Sequence, residues 1–294
     1  MDIYKKKEQA TMLARHLFLI AISIVVIFPV FYVISISFNP LGAIGSDFIP
    51  DKFSLTHWKY ILGLPYIEGE STVTNFPIIR WLFNSLKISF LTSLLVLFLS
   101  TTSAYALSRF KFRGRKTSLL VLMIVQMFPS IMALVAFYLI LTFIGKYFPW
   151  LGTDTHWGLI LVYLGGTPFN IWLIKGYFET IPASMEEAAI IDGCSRWQAF
   201  YKILLPLSVP ILAVVGLLTF IGTFADFIVP SVLLKSQDQL TFAVGIQLFI
   251  SESFSNRWGQ FAAASILGAL PIMLVFFSIH RYIISGLSAG GVKE

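Results

Sequence analysis

The sequence predicts an all-α integral membrane protein of six transmembrane helices with both termini cytoplasmic, and three observations carry that prediction. The 294-residue chain is 57% hydrophobic and only 12% charged, whereas soluble domains carry about 25% charge. Its apolar residues gather into six runs, each near the roughly 20 residues that a bilayer crossing needs. Its basic residues are unevenly shared between the connecting segments, which sets a direction across the membrane.

The six predicted spans are Leu17–Ser37, Phe83–Leu107, Ser118–Ile144, Gly158–Tyr177, Val209–Leu234 and Phe261–Ile284. The first is too long for the apolar core of a signal peptide and no A-x-A site follows it, so it reads as retained. Pro29, Pro129, Pro168, Pro230 and Pro271 fall inside spans; in a membrane such kinks are tolerated where neighbouring helices satisfy the freed carbonyls. With the termini inside, the inner segments together with the inner span ends at Lys175 and Arg281 hold fourteen Lys and Arg residues and the outer segments six, with Lys87 deeper in a span. That asymmetry obeys the positive-inside rule. The net charge of +6 is therefore orientation, and no nucleic-acid partner is expected. The chain reads as one transmembrane domain, 1–294, with sizeable outer segments at Phe38–Arg80 and Lys235–Gln260.

Several chemistries are excluded or weakened. One cysteine, Cys194, permits no internal disulfide, and His16, His57, His156 and His280 are too scattered for a metal site. No G-x-x-x-x-G-K-[ST] phosphate loop is present; "RGRKT" at Arg113–Thr117 has the wrong glycine spacing. Asp226 is the one deeply placed carboxylate. It is a candidate for the translocation path, with a hydrogen bond to a neighbouring helix as the alternative. A secondary transporter would need more intramembrane charges and broken midplane helices. The small residues of Ser100–Ser108 and Ala262–Ser265 mark close helix packing. Between spans five and six, Thr241–Ile250 is apolar but too short to span, so it should be re-entrant or rest on a partner.

The most informative stretch is polar, residues 182–206 between spans four and five. Pro182 suits the first turn of a helix, and Ser184 with Glu187 has capping-box spacing. Gly193 can take the left-handed conformation that ends a helix. Trp197, Tyr201 and Leu204 then recur at helical spacing until Pro206. Locally the stretch reads either as two amphipathic helices lying on the bilayer surface or as a docking element.

Its spacing decides between these. Glu187-Ala188-Ala189, then Gly193, Ile203 and Leu205-Pro206 reproduce every fixed position of the EAA loop of ATP-binding-cassette importer permeases. Further stretches, "IKGYFETIPASMEEAAIIDG", "WQAFYKILLPLSVPILAVV", "LTFAVGIQ", "WGQFAAASILGALPI", "GLSAGGVK", "FPVFYVISISF" and "QMFPS", resemble the smaller permease of maltose/maltodextrin importers. The likeness runs from span one to the C-terminus and is least marked between Gly42 and Asn75. It implies a type I importer permease fold in the bacterial cytoplasmic membrane, transporting sugar by alternating access. It further implies a second, larger permease, an extracytoplasmic sugar-binding protein and an ATPase homodimer whose cleft holds the EAA loop. ATP and Mg²⁺ then belong to the ATPase, and this chain is no enzyme and binds no cofactor or metal. By the same resemblance, Ala243, Val244, Gly245 and Gln247 reach into the binding protein's sugar cleft, and the tail around Gly290 and Gly291 meets the ATPase. A permease for another oligosaccharide or a glycerophosphate-type solute is the alternative within the family.

Overall fold

The computed structural model describes residues 2–42, 48–64, 76–251 and 257–291, with side chains described for all of these except residues 2–10, 130 and 283–291. Among the described residues there is helix and no strand. Four helices are long and apolar enough to cross a membrane: Thr11–Phe38, Ile78–Arg109, His156–Thr180 and Trp258–Tyr282. The count reaches six if each of two bent helix pairs is one span.

In chain order, helix α1 (Asp2–Phe38) carries the first predicted span, and its apolar window buries nothing against the rest of the chain. It is followed by the short α2 (Thr56–Ile61) and by α3 (Ile78–Arg109). The third predicted span, Ser118–Ile144, is not one helix. It divides into α4 (Arg115–Met127) and α5 (Leu134–Gly145), joined by a 3₁₀ turn at Ser130–Ala133 and bent by 85°. The break sits at Pro129: Phe128, forced out of the helical region by the following proline ring, has ψ 126°, and Pro129 itself has ψ 115°.

The fourth span is α6 (His156–Tyr163) and α7 (Thr167–Thr180) around a 3₁₀ turn at Leu164–Gly166. Next come α8 (Ser184–Ile191), α9 (Arg196–Ala199), a π-helical turn at Phe200–Leu204 and α10 (Leu205–Leu207). The fifth predicted span, Val209–Leu234, also breaks. Its helix α11 (Val209–Ala225) stops where Asp226 turns extended, and α12 (Ile228–Leu233) follows. Short α13 (Phe242–Gln247) and long α14 (Trp258–Gly291) complete the chain.

Where the sequence reads as a single domain, packing groups the chain into two compact units, Met1–Ile78 with Ile246–Gly268, and Ile79–Gly245 with Ala269–Glu294. In the first unit His57 is buried, its Nε2 2.9 Å from the Asn39 carbonyl oxygen. A Cβ on Gly259 would lie 2.2 Å from that same ring nitrogen, so the helix can pass the imidazole only as glycine. In the second unit α3 contributes Ala104, Tyr105 and Leu107 to a core shared with Ile171, Ile174 and Phe178 of α7 and Val215 of α11. Of the small residues predicted to mark close packing, Ser100, Thr101 and Ala104 on α3 and Ala262, Ala263 and Ala264 on α14 are buried within the chain. Thr102, Ser103, Ala106 and Ser108 on α3 and Ser265 on α14 stay half-exposed.

Candidate functional site

The polar stretch between α7 and α11 folds as a helix, a hinge and a second helix. Helix α8 begins one residue earlier than the capping-box spacing predicts. Ala183, already helical at φ −62° and ψ −26°, is the N-cap, and no side chain caps it. The Ala183 carbonyl accepts from the amides of Glu186 and Glu187, each at 3.0 Å. Pro182 favours this arrangement by leading directly into a helical turn. The capping box exists, but eleven residues on: Ser195 Oγ accepts from the Gln198 amide at 3.2 Å and Gln198 Oε1 accepts from the Ser195 amide at 2.7 Å.

Gly193 ends α8 as predicted. Its φ is +91°, its amide donates to Ile190 and the Cys194 amide donates to Ala189, at 3.0 and 2.9 Å. These are the paired bonds of a Schellman motif, which needs a left-handed residue at this position. Among the described residues no heavy atom lies within 4 Å of where a Gly193 Cβ would be.

The second helix departs from the predicted stripe. Trp197 and Tyr201 are exposed, while Phe200 and Leu204 are buried in the core with α3 and α7. A π-helical turn runs over Phe200–Leu204. Its wider winding rotates the following side chains relative to a 3.6-residue period. Trp197 instead lies on Phe200, with ring centroids 5.1 Å apart.

The EAA positions therefore divide by direction. Glu187, Ala188, Gly193 and Pro206 are exposed, Ile203 and Leu205 are half-buried, and Ala189 is buried. Ile191 is 85% exposed beside them.

Sequence reasoning missed how the loop is held. It singled out Glu187, yet Glu186 is the buried carboxylate, 6% exposed. Its Oε1 accepts from Arg109 Nε at 2.6 Å, and Arg109 Nη2 donates to the Ile181 carbonyl at 2.9 Å. One turn back along α3, the Tyr105 hydroxyl donates to the Arg196 carbonyl at 3.2 Å. Two adjacent carboxylates give no signal of which faces inward, and Arg109 entered the sequence argument only as one charge in a topological count.

The outer segment is similarly anchored on its own chain. Trp81 Nε1 donates to the Gln237 carbonyl at 2.7 Å, and Asn84 Nδ2 donates to the carbonyls of Asp238 and Leu240, both at 2.9 Å. Arg80 pairs with Asp238, and Ser85 Oγ accepts from the Phe242 amide. The stretch from Gln237 to Phe242, leading into α13, is thus held on α3. Of the four residues predicted to reach a binding protein, Val244 and Gly245 are buried, and Ala243 and Gln247 remain half-exposed on α13.

Asp154, in the turn before α6, has φ +60° and accepts from the amides of Lys235 at 2.8 Å and Ser236 at 3.0 Å, and from the Ser236 hydroxyl. Burial alone would raise its pKa, but these three donors outweigh burial and hold the carboxyl below its ordinary value. Asp226 lies at the break between α11 and α12: its Oδ1 accepts from the Ile228 amide at the start of α12 at 3.0 Å and its Oδ2 from the Tyr163 hydroxyl at 2.9 Å. This is the helix-to-helix hydrogen bond that the sequence offered as the alternative to a path residue. Gly290 and Gly291, in the tail that the resemblance brings to the ATPase, lie in the last turn of α14. Extending a formed helix needs no new nucleus, which offsets the poor propensity of glycine. Among the described residues no group of three or more His, Cys, Asp or Glu could hold a metal.

Fold and site together define a class: a multi-pass helical membrane component with a helix-hinge-helix loop tied to the end of α3. The chain belongs to the family of binding-protein-dependent transport system inner membrane components, whose match spans residues 97–288. It is 48% identical over 282 residues to the maltose/maltodextrin transport system permease protein MalG of Vibrio vulnificus strain YJ016, covering 95% of each chain. Against the MalG proteins of Photorhabdus laumondii and Escherichia coli K12 it is 45% and 42% identical over 293 residues, 99% of each chain. A crystal structure of a bacterial ABC transporter involved in import of the acidic polysaccharide alginate shares the fold. The TM-score is 0.73 at 23% identity, over 94% of this chain and 97% of that one.

Proposed function

We propose that this chain is the permease subunit of an ATP-driven importer for maltose and maltodextrins. It is a transport component and not an enzyme. It would work in the bacterial cytoplasmic membrane, with both termini inside, beside a second, larger permease and an extracytoplasmic sugar-binding protein. An ATPase homodimer supplies ATP and Mg²⁺ chemistry that this sequence has no phosphate loop to perform. The observation that carries the reading is identity of 42–48% to MalG proteins along almost the whole chain, joined to an EAA loop whose exposed face has no cover among the described residues.

In this reading Glu187, Ala188 and Ile191 meet the ATPase, with Gly193 as the hinge and Ile203, Leu205 and Pro206 leading back to the membrane. ATP binding closes the ATPase dimer, moves the loop and opens the cavity outward; hydrolysis resets it. A loop can transmit such a bias only if it moves as a body between two positions that both ligands favour unequally. The buried Phe200 and Leu204, locked against α3 and α7, supply that stiffness. On the outer side, Ala243 and Gln247 are the surface open to the binding protein. Asp226 holds α11 to α6 at the edge of the path, and the end of α14 at Gly290 and Gly291 extends toward the ATPase.

Uptake of labelled maltose and maltotriose into proteoliposomes containing all four components tests the proposal. ATP-dependent uptake of these sugars, competed by neither an unrelated oligosaccharide nor a glycerophosphate, is expected. Uptake of one of those competitors in their place would discard the substrate and keep the permease.

A further inference from the structure

We infer that Arg109 and Glu186 form the joint through which the EAA loop drives α3, so that loop and helix end travel as one rigid body. The inference rests on the coupling role given to the loop above and goes beyond it, because neither residue is exposed to a partner. Glu186 is buried, and both side chains of the pair are mostly covered. Arg109 is the last residue of α3.

The geometry assigns the guanidinium two simultaneous tasks. Nε holds the Glu186 carboxylate on α8, and Nη2 holds the Ile181 carbonyl at the end of α7. Beyond the hinge, the Tyr105 hydroxyl of the same helix holds the Arg196 carbonyl at the start of α9. The Arg196 guanidinium in turn lies 5.6 Å from the centre of the Phe110 ring, just past the end of α3. The end of α3 therefore grips the loop on both sides of Gly193.

A buried ion pair is a weak device for stability, since apolar residues of similar size often serve as well. A planar, forked donor is a strong device for fixing orientation. The adjacent carboxylates thus divide the work: Glu187 faces outward to the ATPase, and Glu186 faces inward to the helix that must move. Arg109 and Glu186 are positioning residues that touch neither sugar nor nucleotide.

The test uses the complete transporter in proteoliposomes with Arg109→Lys, Glu186→Gln and Glu187→Lys, each compared per assembled complex. Lysine keeps the charge but cannot reach Glu186 and the Ile181 carbonyl together. Sugar transported per ATP hydrolysed should fall by about fivefold or more in Arg109→Lys and Glu186→Gln. The exchange Arg109→Glu with Glu186→Arg should recover part of that loss. An unchanged ratio in both single variants, with Glu187→Lys uncoupled, overturns this inference and leaves the loop reading intact. An unchanged ratio in all three overturns both.

A second measurement needs no change to the pair. With spin labels on Cys194 and on Lys111→Cys, the inter-label distance should stay within about 2 Å between nucleotide-free and ATP-bound states, less than a helix turn's displacement. A larger shift would show the loop sliding against α3 and refute the rigid joint.

Discussion

Gly193 offers a test in which conformation and space separate. Its φ of +91° is costly for any residue with a Cβ, about 1–2 kcal/mol for alanine and less for asparagine, whose short polar side chain tolerates the left-handed region. β-Branched valine fits that region worst. Steric cost among the described residues is nil, because none of their heavy atoms lies within 4 Å of the added carbon. The Schellman bonds from Gly193 and Cys194 depend on that φ, so losing it adds about 1 kcal/mol for each bond set free. The expected order of damage is Val, then Ala at about 1–2 kcal/mol, then Asn at a few tenths. Amide exchange at Gly193 and Cys194 on the purified chain should accelerate roughly tenfold in Gly193→Ala and little in Gly193→Asn, since 1.4 kcal/mol is a factor of ten. Coupled transport should follow the same order, with Val uncoupled. If Asn removed coupling as completely as Val while exchange stayed normal, the glycine would be there to admit the partner, and the conformational argument would fail.

Other consequences are equally open to measurement. A Cβ on Gly245 would lie 2.1 Å from the Trp81 ring, which is fully buried and bonded to Gln237; Gly245→Ala should therefore cost about 1–3 kcal/mol by overpacking, seen as faster proteolysis of the outer segment, and normal resistance would contradict its seating on α3. Glu187→Lys alters an exposed side chain, so the chain should keep its stability within about 0.5 kcal/mol while sugar-dependent ATP hydrolysis is lost; collapse of the fold would contradict the outward placement. Because the folded state binds the charged form of Asp154 more tightly, its contribution is present above the ordinary carboxylate pKa of about 3.9 and disappears as pH falls through the lower folded value. The stability gap between the wild type and Asp154→Asn should accordingly be open at neutral pH and narrow in acid, and a gap independent of pH would refute the assignment.

Much of the molecule was legible because membranes impose simple rules. Run length located the long helices α1, α3 and α14, and αL demand located the hinge at Gly193. Periodicity served only in part: of the stripe Trp197, Tyr201 and Leu204, Leu204 alone is buried, with Phe200 beside it at the start of a π-helical turn. Apolar content could not distinguish a continuous span from the broken pair around Phe128 and Pro129, because the apolar run continues from one half into the other. The Arg109–Glu186 joint links residues 77 apart, and such pairings leave no trace in local spacing. The seating of the segment before α13 on Trp81 and Asn84, some 154 to 156 residues away, was hidden for the same reason.

The most direct test of the central claim is ATP hydrolysis by the reconstituted four-component transporter, with sugars added one at a time in the presence of the binding protein. Stimulation by maltose and maltotriose, and its loss in Glu187→Lys, is the expected result. A fully assembled complex whose hydrolysis responds to no sugar would contradict the claim that this chain couples ATP to the import of maltodextrins.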